Sequence, residues 1–123
     1  MLGRSTDRVA TVLREDGTVV CERCVLATTM WPRMKGLLGR NELPPGDGIY
    51  LSPASSIHMF FMRFAIDAVF VDRELVVRKV ARDLKPWRIA SARGSRSVIE
   101  LAAGEADRRG IEPGQRLKLE EPS

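Results

Sequence analysis

The chain is poor in the residues that usually carry metal or nucleophilic chemistry. Its 123 residues include one histidine and two cysteines. A structural zinc site takes four ligands, so an intramolecular site would need all three of these plus a carboxylate. Cys21 and Cys24 have the spacing of half a zinc site or of a redox pair. A thioredoxin-type redox pair sits at a helix N-terminus, where the thiol pKa falls. Here the pair lies in a predicted strand, where residues three apart point to opposite faces. The cysteines are therefore read as adventitious, and no metal or cofactor is expected. No glycine-rich phosphate loop is present, because Gly94-Ser95 is too little to make one. No apolar stretch approaches the ~20 residues of a membrane span. The first residues lack the long apolar core of a secretory signal, so a cytoplasmic location is the expectation and a membrane partner is not.

Lysine is also scarce, with four against sixteen arginines, and the net charge is +4. GC-rich coding explains an arginine excess, but guanidinium groups also suit carboxylates and phosphates. The charge is uneven. From Arg73 to Arg96 eight basic residues face two acidic ones, a local surplus larger than that of the whole chain. What remains is a globular composition, 44% hydrophobic and 29% charged, long enough for one domain over residues 1–123 with a real core. The polar ends, 1–8 and 120–123, are expected to fray.

Coarse patterning is mostly β. Val9–Leu13 and Thr18–Leu26 read as strands joined by Glu15-Asp16-Gly17-Thr18, since Asp-Gly supplies the positive φ of a tight hairpin. Residues 29–38 read as the one long helix, with Thr28 or Thr29 as cap and Met30, Met34, Leu37 and Leu38 at helical spacing. Arg33 and Arg40 project from nearly the same side of it. A Pro/Gly-rich loop follows. Then come short strands over Gly48–Leu51, Ile57–Phe64, Ala65–Asp72, Leu75–Ala81, Ser97–Leu101 and Arg116–Leu119, with a helical turn near 103–109. Ile57–Phe64 is apolar on both faces and is expected to be central. The fold class is mainly β, a small barrel or jelly-roll-like sandwich with the helix over one end or edge.

Ser56–Asp72 holds the chain's only histidine and two of its five methionines, with His58, Arg63 and Asp67 embedded in an apolar run. Buried charges are costly unless paired. That block stands in order with Arg33-Met-Lys-Gly-Leu-Leu-Gly-Arg40, Lys85-Pro-Trp-Arg88, Val98-Ile-Glu-Leu-Ala-Ala-Gly104 and Gly110-Ile-Glu-Pro-Gly114. The set resembles the bacterial and archaeal family called domain of unknown function 192, over about Val25 to Leu119. The resemblance implies a compact β-rich fold and no established activity. Its motif residues fall here on Arg33, Gly36, Leu37, Arg40, His58, Phe61, Met62, Arg63, Asp67, Glu100 and Gly104. Met59, Ala65 and Gln115 stand where the family pattern has Thr, Pro and Asp.

Three readings of function compete. The first is a non-catalytic binding or interaction module. Its pocket, lined by Arg33, Arg40, His58, Arg63, Asp67 and Glu100, would take a small anionic ligand or a partner's carboxylate. Within it, Arg63 and Asp67 can alternatively meet across a hairpin as a purely structural ion pair. The second is a small hydrolase with His58 as general base, Asp67 or Glu100 behind it, and Ser55, Ser56, Cys21 or Cys24 ahead. A single histidine beside Phe and Met is more often a hydrogen-bonded core residue, so the reading leans against an enzyme. The third is nucleic-acid binding through the basic 73–96 segment, with Trp87 able to stack a base. Modest charge and sparse aromatics count against it, and nucleic acid is not the expected partner.

Overall fold

The computed structural model describes residues 8–27, 42–60 and 62–122. The expected helix at 29–38, with Arg33 and Arg40, lies outside the described residues.

Nine strands make up most of the described chain: β1 Arg8–Arg14, β2 Val19–Ala27, β3 Asp47–Leu51, β4 Ser56–His58, β5 Ile66–Val71, β6 Val77–Leu84, β7 Ile89–Ser91, β8 Ser97–Ala102 and β9 Leu117–Glu120. Among the described residues there is one short helix, α1 (Glu105–Arg108), between β8 and β9. Seven strands form one sheet in the order β6-β5-β8-β3-β2-β1-β9, and β4 and β7 pair separately as a two-stranded ribbon. Only β2 and β3 run parallel. The β1–β2 hairpin closes as the Asp-Gly signal requires: Gly17 takes φ 89°, and Asp16 Oδ1 accepts the Thr18 N–H at 2.9 Å.

The sheet curls into a half-barrel until its two edge strands meet at one end. There Val77 N donates to Gln115 O at 2.8 Å, and Leu117 N donates to Leu75 O at 2.9 Å. The curl defines two apolar clusters. Val12, Val20, Val69, Val77, Ile99 and Leu117 share one of them with Ala106 and Ile111. Only a concave face can bring residues of both sheet edges together, so this cluster is the inside of the curl. Ile49, Leu51, Ile66, Ala68, Phe70 and Val98 form the second cluster on the outer face, covered by Leu43, Met59, Met62 and Ala90. Gly48 of β3 marks the tightest point between β2 and β8. A Cβ there would lie 2.8 Å from Glu100 O and 2.9 Å from Cys21 Sγ, which a packed core does not admit.

The mainly β expectation is what the structure shows, and one expected strand is redistributed. Ile57–Phe64 is not the central strand. Strand pairing ends at His58, and the chain turns at Phe60, with Met62 N donating to Met59 O at 3.3 Å. The apolar run is a plug rather than a ladder: Met59 and Met62, three apart on the turn, drop into the outer cluster. The strand buried on both faces is instead β5, whose six residues are all buried and which lies next to the edge strand β6. Covered on both faces, β5 reads as a continuous apolar run without alternation.

Candidate functional site

Of the residues singled out in the sequence, His58, Arg63, Asp67 and Glu100 lie among the described residues, and they differ in burial. His58 and Arg63 are exposed, whereas Asp67 and Glu100 are buried. Register puts the two carboxylates on opposite faces of the sheet. Asp67 pairs with Leu101, on the inner side; Glu100 pairs with Ala68 and Ile49, on the outer side. Asp67 is engaged by main chain. Its Oδ1 accepts the Asp83 N–H at 2.8 Å, and its Oδ2 accepts those of Gly104 and Ala106 at 3.0 and 2.9 Å. Gly104, the N-cap of α1, offers no side chain to the helix's first amides. Asp67 supplies that cap from a distant strand, satisfying donors that every helix start leaves open. His58 has its ring 4.7 Å from that of Phe60. No hydrogen bond joins it to a carboxylate among the described residues, so the orienting partner of a general base is missing there.

The cysteines correct the strand geometry. A register shift between β1 and β2 sets Glu22 and Arg23 outward together and turns Cys21 and Cys24 both into the inner cluster. The Cys24 thiol is pushed well above its ordinary pKa, first by its hydrogen bond with Cys21 and then by burial. A protonated, buried thiol is a small hydrophobe, not a nucleophile. Among the described residues no three His, Cys, Asp or Glu side chains are grouped to hold a metal ion, and no helix is long and apolar enough to cross a membrane.

A cleft of about 460 Å³ opens between two turns, Asp72-Arg73-Glu74 after β5 and Gly94-Ser95-Arg96 before β8. Its carboxylates are committed. Asp72 Oδ1 accepts the N–H groups of Glu74 and Val76 at 2.9 and 3.0 Å, and Oδ2 lies 3.9 Å from Arg78 Nη1. The Val76 amide is the main reason this carboxyl titrates below its ordinary value, with the Glu74 amide and the Arg78 and Arg116 charges adding to it. Glu74 Oε1 lies 3.6 Å from Arg116 Nη2. Arg73 and Arg96, both exposed, make no side-chain hydrogen bond or ion pair with any described residue. The sequence signals here were the turn residues alone; which guanidiniums go unpaired is decided by the fold.

A second surface feature lies on the β4–β7 ribbon. Phe60 stacks on Trp87 with ring centroids 5.7 Å apart and planes at 29°, continuing the His58–Phe60 contact into a row of three rings. Trp87 is 58% exposed and Ile89 65%. Strand β7, which positions this edge, is not legible in the sequence because three residues between Arg88 and Ala92 give no usable pattern.

Comparison with known proteins agrees with this architecture. A protein of Sinorhizobium meliloti 1021, described as a "putative transcription regulator", superposes with a TM-score of 0.77 over 92% of both chains at 24% identity, a likeness that shows the fold alone. A protein of unknown function from Novosphingobium aromaticivorans DSM 12444 superposes with a TM-score of 0.76 at 28% identity, over 91% of this chain and 84% of that one. A UPF0127 protein of Thermococcus sibiricus is 34% identical over 115 residues, covering 85% of this chain and 70% of the relative. The family model DUF192, described as Uncharacterized ACR, matches residues 11–119. With the landmark residues and the curled β sheet in place, the chain belongs to the DUF192 family.

Proposed function

We propose that the protein is a non-catalytic binding module that holds a small anionic ligand in the cleft between Arg73 and Arg96. One observation carries this reading: both carboxylates of the cleft are engaged, while no described residue engages the two guanidiniums. The surplus charge facing the opening is positive, and planar guanidiniums match carboxylate and phosphate oxygens. This keeps the arginine-lined pocket inferred from the sequence but moves it to different arginines. The hydrolase reading has less support, because His58 lacks a carboxylate behind it among the described residues.

The test is an amide-resolved NMR titration with inorganic phosphate and, separately, citrate. At least one anion is expected to shift the signals of 72–74 and 94–96 saturably. An Arg73→Gln/Arg96→Gln variant should keep the folded spectrum and lose the response. At a hundredfold excess over Kd the anion should stabilise the fold by about 2.7 kcal/mol. Shifts scattered over the surface, or an undiminished response in the variant, would remove the proposal.

A further inference from the structure

We propose that the Trp87–Phe60–His58 row is a stacking platform for the unpaired bases of single-stranded nucleic acid, with Arg88 and Arg93 as its phosphate contacts. The first argument is the conformation of Trp87. Lys85-Pro86-Trp87-Arg88 is a tight turn, closed by Arg88 N donating to Lys85 O at 3.2 Å, and Trp87 takes φ 71° at its third position. With proline second, that third position is where glycine belongs. A bulky side chain there is an outlier, and burial is not what it gains in return, since Trp87 is left more exposed than buried. Residues held in such conformations concentrate at functional surfaces.

The second argument is the arrangement of rings. The two ring contacts are tilted by only 29° and 31°, so the row presents a flat end instead of an edge. Every base has a π face, and stacking on exposed tryptophan is therefore tolerant of sequence. The sparseness of aromatics that counted against nucleic acid matters less once three rings share one surface.

The third argument is charge. Within 73–96, Arg82 is neutralised by Asp107 at 2.6 Å and Glu112 at 3.4 Å, Lys85 by Asp83 at 2.8 Å, and Arg78 lies 3.9 Å from Asp72. Arg88 and Arg93 are exposed and make no side-chain bond to any described residue. Arg88 adjoins the indole in sequence, where a phosphate flanking a stacked base would lie. Protein partners are also drawn to exposed Trp, Ile and Arg, but a row of three rings, with arginines on either side of β7 that no described carboxylate neutralises, favours a chain of planar bases with regular negative charge.

The test is fluorescence titration of the full chain with short oligo(dT) and oligo(dA), with a DNA duplex and poly-glutamate as alternatives. Anisotropy of fluorescein-labelled oligonucleotides reads affinity for every variant, and the part of the tryptophan quench that Trp87→Gly loses reads stacking on Trp87. Binding should weaken with salt, log K falling by about 0.7 per phosphate contact for each unit of log salt. Trp87→Gly is the decisive variant, because glycine suits the turn: its melting temperature should stay within a few degrees or rise, and its affinity should fall on the order of tenfold or more. Arg88→Gln/Arg93→Gln should weaken binding and flatten the salt slope, whereas Arg73→Gln/Arg96→Gln should leave the quench intact, keeping this site distinct from the anion cleft. Absence of binding, equal affinity of Trp87→Gly, or preference for the duplex or for poly-glutamate would overturn the proposal.

Discussion

At the scale of single residues, the clearest lesson is Asp67. A carboxylate buried in a strand invites a search for a cationic partner, and the sequence offers Arg63 four positions away. The fold instead spends Asp67 on three main-chain amides, those of Asp83, Gly104 and Ala106. Such partners leave no mark in a sequence, because every residue but proline carries the same amide. What was legible was that a charge stood at an apolar position and had to be satisfied; its partner was not. The role is testable. Asp67→Ala leaves three donors unmet, one of them at a fully buried residue, and should cost about 3 kcal/mol or more. Asp67→Asn retains one oxygen but turns an N–H toward the amides, and should recover only part of the loss. Chemical denaturation of both variants checks the order. An Asp67→Ala protein as stable as the parent would show that the carboxylate does not tie α1 to the sheet.

At the scale of elements, segments bracketed by turn residues were readable, down to β3, β9 and the short helix α1, and the two three-residue strands were not. The β1–β2 hairpin follows from Asp-Gly between two apolar runs, and β8 from Val98-Ile-Glu-Leu; both appear within a residue or two of their expected limits. Strands β4 and β7, three residues each, are defined by pairing with one another across the chain, a non-local fact. Helix α1 is too short to persist by itself and is clamped from outside. Glu105 accepts from Arg108 at 2.6 and 2.8 Å and from Arg109 at 3.1 Å, and Arg109 reaches on to Glu22 of β2 at 2.8 Å. The Arg108 hydrogen bonds lead the other contacts in holding the Glu105 carboxyl below its ordinary pKa. A carboxyl lowered in the folded state adds stability above its unfolded pKa, about 4.3, and loses it as pH falls through the folded value. Melting temperature should therefore be flat in this contribution from pH 7 to about 5 and decline below about 4.5. Glu105→Gln should lower the plateau by about 1–3 kcal/mol and shallow the acid limb. Parallel acid limbs for parent and variant would exclude the clamp as a source of acid sensitivity.

At the scale of the whole molecule, two apolar clusters share the same strands. Val69 and Val71 of β5 point inward while Ile66, Ala68 and Phe70 point outward, and β8 divides in the same way between Ile99 and Val98. The layer that carries the aromatic row is thus anchored on strands that also build the inner core. Met59 is its main rivet: buried to 1%, it packs into the outer cluster beside Phe60 of the ring row. Its main chain also bonds the turn that holds Trp87, through Trp87 N to Met59 O at 2.7 Å and Met59 N to Arg88 O at 2.8 Å. If the shared strands make both clusters one cooperative unit, Met59→Ala should cost about 2–5 kcal/mol and the cost should be global. The slowest amides of β5 and β8 would then exchange faster by the same free energy that denaturation reports. Acceleration confined to β4, β7 and the 59–64 turn, with the sheet amides unchanged, would mean that the outer layer opens independently. The aromatic row would then have a mobile mounting, and its rings could not serve as a fixed stacking surface.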